Sequence, residues 1–131
     1  MALKKFVVIL IFLVVVGIVG FSILGNEGIE NISTEELAQK INQEGSSKDV
    51  IFLDVREIDE YESGHIKGMD NLPLSILDGS KLTFSKNAEI VLICRSGNRS
   101  MQAAEVFEKA GYHHVVNVEG GIQSWHGELI N

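Results

Sequence analysis

The sequence predicts an α/β domain in which a parallel sheet lies between layers of helices. Two segments, Val50–Val55 and Ile90–Ile93, are apolar nearly throughout, which is typical of strands that helices cover on both faces. Helical patterns alternate with strands along the chain, and this order is typical of doubly wound folds. Ligands of such folds bind beyond the carboxyl ends of the strands, so the residues that follow Ile93 are candidates for a binding site.

An apolar segment, Phe6–Leu24, precedes the domain and contains no charged residue and no proline. As a helix it would be ~28 Å long, close to the ~30 Å hydrocarbon core of a bilayer. We therefore expect residues 1–25 to form a transmembrane anchor or signal sequence and residues 26–131 to form the domain. Lys4 and Lys5 precede the segment, so the positive-inside rule predicts a single-pass membrane protein with a cytoplasmic N-terminus and an extracytoplasmic domain. The alternative is cleavage, which would leave a secreted or periplasmic protein.

Charge and cysteine content exclude several classes of function. The chain of 131 residues has a net charge of -7 at pH 7 and no basic patch, which argues against nucleic acid as a partner. Its single cysteine, Cys94, excludes an intrachain disulfide and a Cys-x-x-Cys zinc site. His113 and His114 would face opposite sides of a strand and make a poor metal pair, so the sequence predicts neither a metal ion nor a cofactor.

The first half of the domain is predicted to contain a helix, a strand and a short acidic helix. Gly25–Asn31 is predicted to be a linker. Ser33 and Glu36 have the spacing of a capping box, at the start of a helix that ends near Gly45. The first apolar strand follows, and the acidic helix then lies within Arg56–Gly64 and ends at a glycine.

The second half repeats the alternation of strand and helix. Ser75–Asn87 is predicted to be a turn or short helix followed by a loop. After the second apolar strand, a helix begins near Ser100 and ends at a glycine. His114–Val118 is predicted to be the last strand and Ile122–Leu129 the last helix, with Trp125 packed against the domain.

Cys94 lies where a reactive thiol is expected in such a fold. It follows an apolar strand and faces the N-terminus of the helix that begins near Ser100, where unpaired N–H groups and the helix dipole favour a thiolate or an anion. Arg95 and Arg99 add two positive charges. A free cysteine is often only a small buried hydrophobe, but these electropositive surroundings favour a reactive one.

Residues at the end of the first apolar strand are predicted to support this site. Asp54, Arg56 and Glu57 are expected to brace loops through hydrogen bonds or ion pairs rather than to take part in catalysis. His65 is also predicted to be structural, because its spacing indicates neither a metal partner nor a role as a base.

Four short motifs follow one another along the chain. They are Asp54-Val55-Arg56-Glu57 with Glu60-Tyr61, Gly64-His65-Ile66-Lys67-Gly68 with Asn71-Leu72-Pro73, Cys94-Arg95-Ser96-Gly97-Asn98-Arg99-Ser100, and Gly111-Tyr112 with Gly120-Gly121-Ile122-Gln123-Ser124-Trp125. In this order they resemble the rhodanese family of single-domain sulfurtransferases, over nearly the whole of residues 31–129.

The resemblance implies a three-layer α/β/α domain with a central parallel sheet of about five strands. It also implies a catalytic cysteine that takes sulfane sulfur from a donor such as thiosulfate, holds it as a persulfide and passes it to cyanide or a thiol. By position in the motif, Cys94 is the nucleophile and Arg95 the donor-binding charge. The cradle of the persulfide is formed by the backbone of the next four residues, Ser96, Gly97, Asn98 and Arg99.

Two other interpretations remain open. A cysteine phosphatase or arsenate reductase uses a Cys-x5-Arg loop, whereas Arg99 follows Cys94 here as Cys-x4-Arg, and the shorter loop suits one sulfur atom better than a phosphate. A catalytically idle rhodanese-like module could instead bind a partner at the membrane. The presence of the cysteine and of both arginines argues against that second interpretation.

Overall fold

The structure is a computed structural model that describes residues 28–131. Its centre is a sheet of five parallel strands in the order β1-β5-β4-β2-β3. The strands are β1 (Ile29–Ile32), β2 (Val50–Asp54), β3 (Asp70–Asn71), β4 (Glu89–Ile93) and β5 (His114–Val118). The predicted parallel sheet of about five strands is therefore confirmed.

Within residues 28–131, three α-helices and two short 3-10 helices lie between strands, and a third 3-10 helix follows β5. The α-helices are α1 (Thr34–Glu44), α2 (Ile58–Glu62) and α3 (Asn98–Lys109). The 3-10 helices are Leu74–Ile76, Gly79–Lys81 and Gly121–Ser124. Helix α1 begins with the predicted capping box, since Ser33 accepts from the Glu36 N–H at 3.2 Å and Glu36 accepts from the Ser33 N–H at 2.7 Å.

Strand β4 lies in the middle of the sheet, and both of its faces are buried. Ile90 and Leu92 belong to a core that includes residues of α3, while Val91 and Ile93 belong to a second core on the α1 side. Side chains alternate between the faces of a strand, so Cys94 continues the α3 face and is part of that core. The central position of β4 therefore places Cys94 at the carboxyl edge of the sheet with neighbouring strands on both sides.

The structure differs from the sequence-based expectations at both ends of the domain. The predicted linker, Gly25–Asn31, overlaps β1, which pairs with β5 from Ile29↔Val115 to Ile32↔Val118. The predicted helix Ile122–Leu129 is wrong, because the 3-10 helix ends at Ser124. Beyond it, the chain has no helix or strand, and Ile130 forms an antiparallel bridge with His65, through N–O contacts of 2.8 and 2.9 Å.

No helix within residues 28–131 has the length and apolar character needed to cross a bilayer. The helix α3 has 12 residues, whereas a membrane span needs about 20 apolar ones. This finding contradicts the predicted localisation, which is that of a single-pass membrane protein with an extracytoplasmic domain or of its cleaved form. The segment Phe6–Leu24, on which that prediction depended, lies outside the described residues.

Candidate active site

Cys94 is the first residue after β4, and its side chain is almost wholly buried, at 1% exposure. The backbone N–H of Gly97 donates to Cys94 Sγ at 3.1 Å. The hydroxyl of Ser100, itself fully buried, lies 3.3 Å from the same sulfur. The sulfur therefore accepts from one N–H group and lies beside one hydroxyl group on the side that faces the start of α3.

These contacts decide the ionisation of Cys94. Burial raises the pKa of the Cys94 thiol, because it disfavours the charged form. Hydrogen bonds from the Ser100 hydroxyl and from the N–H groups of Ser100, Ser96 and Gly97 lower it, and together they outweigh the burial. The net pKa is below the ordinary value of a cysteine, so the site favours a thiolate.

The loop after Cys94 turns into α3 through a glycine. Gly97 is the N-cap of α3 and has φ +103°, a left-handed conformation that side chains rarely adopt. This conformation turns the Gly97 N–H toward the sulfur. Ser96 and Asn98 flank the turn with exposed side chains, so Ser96 contributes to the thiol through its backbone.

A second turn, the 3-10 helix Gly121–Ser124, forms hydrogen bonds with the backbone of this loop. The N–H of Ile122 donates to the Cys94 carbonyl at 2.9 Å, and the N–H of Gln123 donates to the Arg95 carbonyl at 3.0 Å. A Cβ atom at Gly121 would collide with the Cys94 carbonyl oxygen and the Arg95 backbone. The two loop carbonyls are thus held by this turn, which leaves the N–H groups of the loop to the sulfur.

The two arginines of the loop have different surroundings. Arg95 is exposed and has no ion-pair partner among residues 28–131. Arg99 forms a bidentate ion pair with Glu60 of α2, with both N–O distances 2.7 Å. Hydrogen bonds from Arg99 lower the pKa of Glu60 to about 2, and those to Glu60 raise the pKa of Arg99. The sequence predicts two positive charges beside Cys94, and the structure compensates one of them.

Asp54 and Arg56 form a buried ion pair under the neighbouring loops. Arg56 Nη2 donates to Asp54 Oδ2 at 2.7 Å and to the Gly64 carbonyl at 2.8 Å. Asn71 Nδ2 donates to the carbonyls of Asp54 and Arg56 at 3.0 and 2.9 Å. Glu57 accepts from the Ser75 hydroxyl at 2.8 Å. These contacts join the segments that follow β2 and β3, and none of them reaches the Cys94 thiol.

Sequence reasoning missed three residues at this site. Glu60 and Gly121 belong to the quoted motifs. Their positions in the sequence do not show that Glu60 pairs with Arg99 or that Gly121 packs against the Cys94 carbonyl. Ser100 closes the cysteine motif, and its hydroxyl approaches the sulfur, although the sequence predicts no role for it. The spacing Cys-x5-Ser, with the serine in the first turn of a helix, is the signal that could have identified it.

Comparisons with known proteins identify the family to which this fold and sequence are similar. The family described as "Rhodanese-like domain" matches residues 33–128 of the chain. The Bacillus subtilis protein YrkF, provisionally named a sulfur carrier protein, is 40% identical over 100 residues, which are 76% of this chain and 52% of that protein. This chain therefore spans about half the length of that relative.

Two further proteins match this chain over most of their own length. A protein of Allochromatium vinosum named sulfurtransferase is 33% identical over 97 residues, which are 74% of this chain and 88% of that protein. The crystal structure of a rhodanese-like domain protein from Staphylococcus aureus has a TM-score of 0.66 and 33% identity, and the match covers 78% of this chain and 98% of that chain.

Proposed function

Since the chain belongs to the rhodanese-like domain family, we propose that it is a sulfurtransferase that carries sulfane sulfur as a persulfide on Cys94. The match at residues 33–128 lies within the proposed domain, residues 26–131. The observation that carries the proposal is the set of donors around the sulfur, because a thiolate is the nucleophile in sulfur transfer.

The reaction is a double displacement through two balanced steps. In the first, the Cys94 thiolate attacks the outer sulfur of thiosulfate or a related donor. A new S–S bond forms, the S–S bond of the donor breaks, and sulfite leaves with the electron pair. In the second, cyanide or a thiolate attacks the outer sulfur of the persulfide, and the Cys94 thiolate leaves. No external oxidant or reductant is needed in either step.

The roles of the loop residues follow from their contacts. The N–H groups of Ser96 and Gly97 stabilise negative charge, first on the thiolate and then on the persulfide, from fixed positions. Arg95 is the proposed donor-binding charge, since its side chain is exposed beside the nucleophile. The remaining predicted residues, Asn98 and Arg99, complete the start of α3 as the wall of the cradle.

Asp54, Arg56 and Glu57 are proposed to support the site from outside it. Their hydrogen bonds join the segments after β2 and β3 to one another. We expect a neutral side chain at Asp54 to destabilise the domain by about 3 kcal/mol, because it would leave the Arg56 charge buried without its partner.

Loading of the full chain with sulfur tests the proposal. Incubation with a panel of sulfane donors, thiosulfate among them, is expected to add the mass of one sulfur atom, and cyanide is expected to remove it as thiocyanate. The variant Cys94→Ala is expected to gain no sulfur. Absence of the adduct with every donor that loads a positive-control sulfurtransferase would overturn the proposal and favour a binding module that does no chemistry.

A further inference from the structure

The charges around Cys94 are compensated more fully than the two arginines of its loop suggest. Arg56 is paired with Asp54 and Arg99 is paired with Glu60. Of these two arginines and Arg95, only Arg95 has no ion-pair partner among the described residues. Within residues 28–131, the cysteine loop thus has one unpaired arginine rather than two.

A further carboxylate, that of Glu57, lies near Arg99. The hydrogen bonds to Glu60 have the largest effect on the pKa of Arg99, and the charges of the Cys94 thiolate and of Glu57 raise it further. Arg99 therefore interacts with two carboxylates as well as with the thiolate.

We propose that Glu60 determines donor specificity by cancelling the charge of Arg99, so that the site takes sulfane donors with one negative charge in preference to dianionic ones. Thiosulfonates (R–SO2–S⁻) are the chemical class that fits, whereas thiosulfate carries a second charge. This inference rests on the proposed function, since it concerns the donor of the same persulfide.

The hydrogen bonds of Glu60 maintain its compensation of the Arg99 charge at neutral pH. Both carboxylate oxygens accept from the guanidinium of Arg99, and Oε2 also accepts from the Glu57 N–H at 3.1 Å. The pKa of Glu60, about 2, keeps it ionised throughout the neutral range. Charge-assisted bidentate bonds of this geometry hold the guanidinium toward Glu60. An incoming anion therefore meets Arg99 only as half of an ion pair.

The two donor classes differ in the charge that must be brought together. Attack on thiosulfate places a thiolate beside a dianion, and the products, a persulfide anion and sulfite, have the same total charge. Attack on methanethiosulfonate places the thiolate beside a monoanion, and methanesulfinate leaves with the electron pair. The same sulfane sulfur is transferred in both reactions. The Coulomb interaction with any fixed charge of the protein is twice as large for the dianion.

The matched variants Glu60→Gln and Glu62→Gln test this inference in the full chain. Both lie on α2 and both remove one negative charge, but Glu62 is exposed and makes no ion pair among the described residues. Glu60→Gln is expected to raise the ratio of kcat/KM for thiosulfate to that for methanethiosulfonate about tenfold, because it frees the charge of Arg99. Glu62→Gln is expected to leave the ratio within about twofold, because Glu62 is exposed to screening by water and salt and does not pair with Arg99.

An unchanged ratio in folded Glu60→Gln, or an equal change in Glu62→Gln, would overturn the inference. Circular dichroism establishes whether Glu60→Gln is folded. Should it not fold, Arg95→Gln serves instead, because loss of the arginine that has no ion-pair partner among residues 28–131 is expected to lower the same ratio about tenfold. A ratio unaffected by Arg95→Gln would likewise contradict the inference.

Ionic strength provides a test that needs no variant. Salt is expected to raise kcat/KM for thiosulfate more than that for methanethiosulfonate, since it screens a repulsion that is larger for the dianion. A fall for thiosulfate would show an electropositive site and contradict the inference. Loading by either donor supports the proposed function whichever donor is preferred, so failure of one conclusion is distinguishable from failure of the other.

Discussion

Ser100 shows how one neutral side chain can control a charged one. Its hydroxyl lies 3.3 Å from Cys94 Sγ, and both groups are withdrawn from water, so neither has solvent as an alternative partner. A hydrogen bond to an ionised group under these conditions is worth about 1.5 to 3 kcal/mol. Ser100 is therefore a positioning residue for the thiolate, through an atom that the helix α3 fixes.

We predict that Ser100→Ala raises the pKa of Cys94 and lowers kcat/KM for sulfur loading about tenfold or more, because the thiolate loses a donor. The pKa is measured from the ultraviolet absorbance of the thiolate as a function of pH, and the rate from loading kinetics. Ser46→Ala, at an exposed position beyond α1, is the matched control and is expected to change neither. An unaltered titration in Ser100→Ala would show that the hydroxyl does not bond to the thiolate.

At the scale of elements, the 3-10 helix Gly121–Ser124 is as much a part of the site as α3. Its N–H groups donate to the carbonyls of Cys94 and Arg95. Two glycines with positive φ allow the contact with the cysteine loop to be distinguished from backbone strain alone. Gly121 has φ +59° and packs against the cysteine loop, whereas Gly111 has φ +93° and nothing within 4 Å of its would-be Cβ.

We therefore predict that Gly121→Ala and Gly111→Ala both destabilise the fold, by about 1 kcal/mol or more, because alanine is strained at positive φ. Only Gly121→Ala is expected to slow sulfur loading, about tenfold or more, because its methyl group would displace the cysteine loop. Urea unfolding and loading kinetics measure the two effects. Equal loading rates in the two variants would mean that the turn does not position the loop.

The elements that sequence reasoning found and missed differ in how much apolar surface they bury. The strands β2 and β4 were predicted because nearly all of their residues are apolar. β1 (IENI) was missed because it is an edge strand in which only Ile32 is buried, and its stability comes from backbone pairing with β5. β3 has two residues, too few for any periodic signal. Local pattern thus indicates buried strands and not those held by pairing alone.

The same distinction applies to the site. The cysteine loop is continuous in sequence, so the approach of the Gly97 N–H and Cys94 followed from one strand and one helix. The pair of Glu60 and Arg99 joins residues 39 positions apart, and only the packing of α2 beside α3 brings them together. A motif can place both residues in a family, but their contact requires the tertiary structure.

At the scale of the whole molecule, the sheet gathers its chemistry at one edge and ion pairs hold the surrounding segments there. β2, β4 and β5 are neighbours, so the segments that follow them meet around Cys94. Asp54–Arg56 fixes the segment after β2 from inside, and Glu60–Arg99 fixes α2 to α3 from the surface. The second pair couples the geometry of the site to the stability of the domain, and the coupling depends on pH.

The acid stability of the domain should report the Glu60–Arg99 pair. Folding lowers the pKa of Glu60 from 4.5 to about 2, so its stabilising contribution is fully present above about pH 4.5 and is lost as the pH falls through about 2.

The side chains of Arg99 and Glu60 are about one-third exposed, at 30% and 35%, so water screens the pair and we expect a contribution of only about 1 kcal/mol. Urea unfolding of Glu60→Gln should therefore show a deficit of about 1 kcal/mol near neutral pH that shrinks as the pH falls below about 4.5 and vanishes only below about pH 2. Glu62→Gln is expected to stay within about 0.5 kcal/mol of the unmodified protein throughout. A deficit in Glu60→Gln that is the same at every pH would mean that lost packing, rather than the ion pair, joins α2 to the cysteine loop.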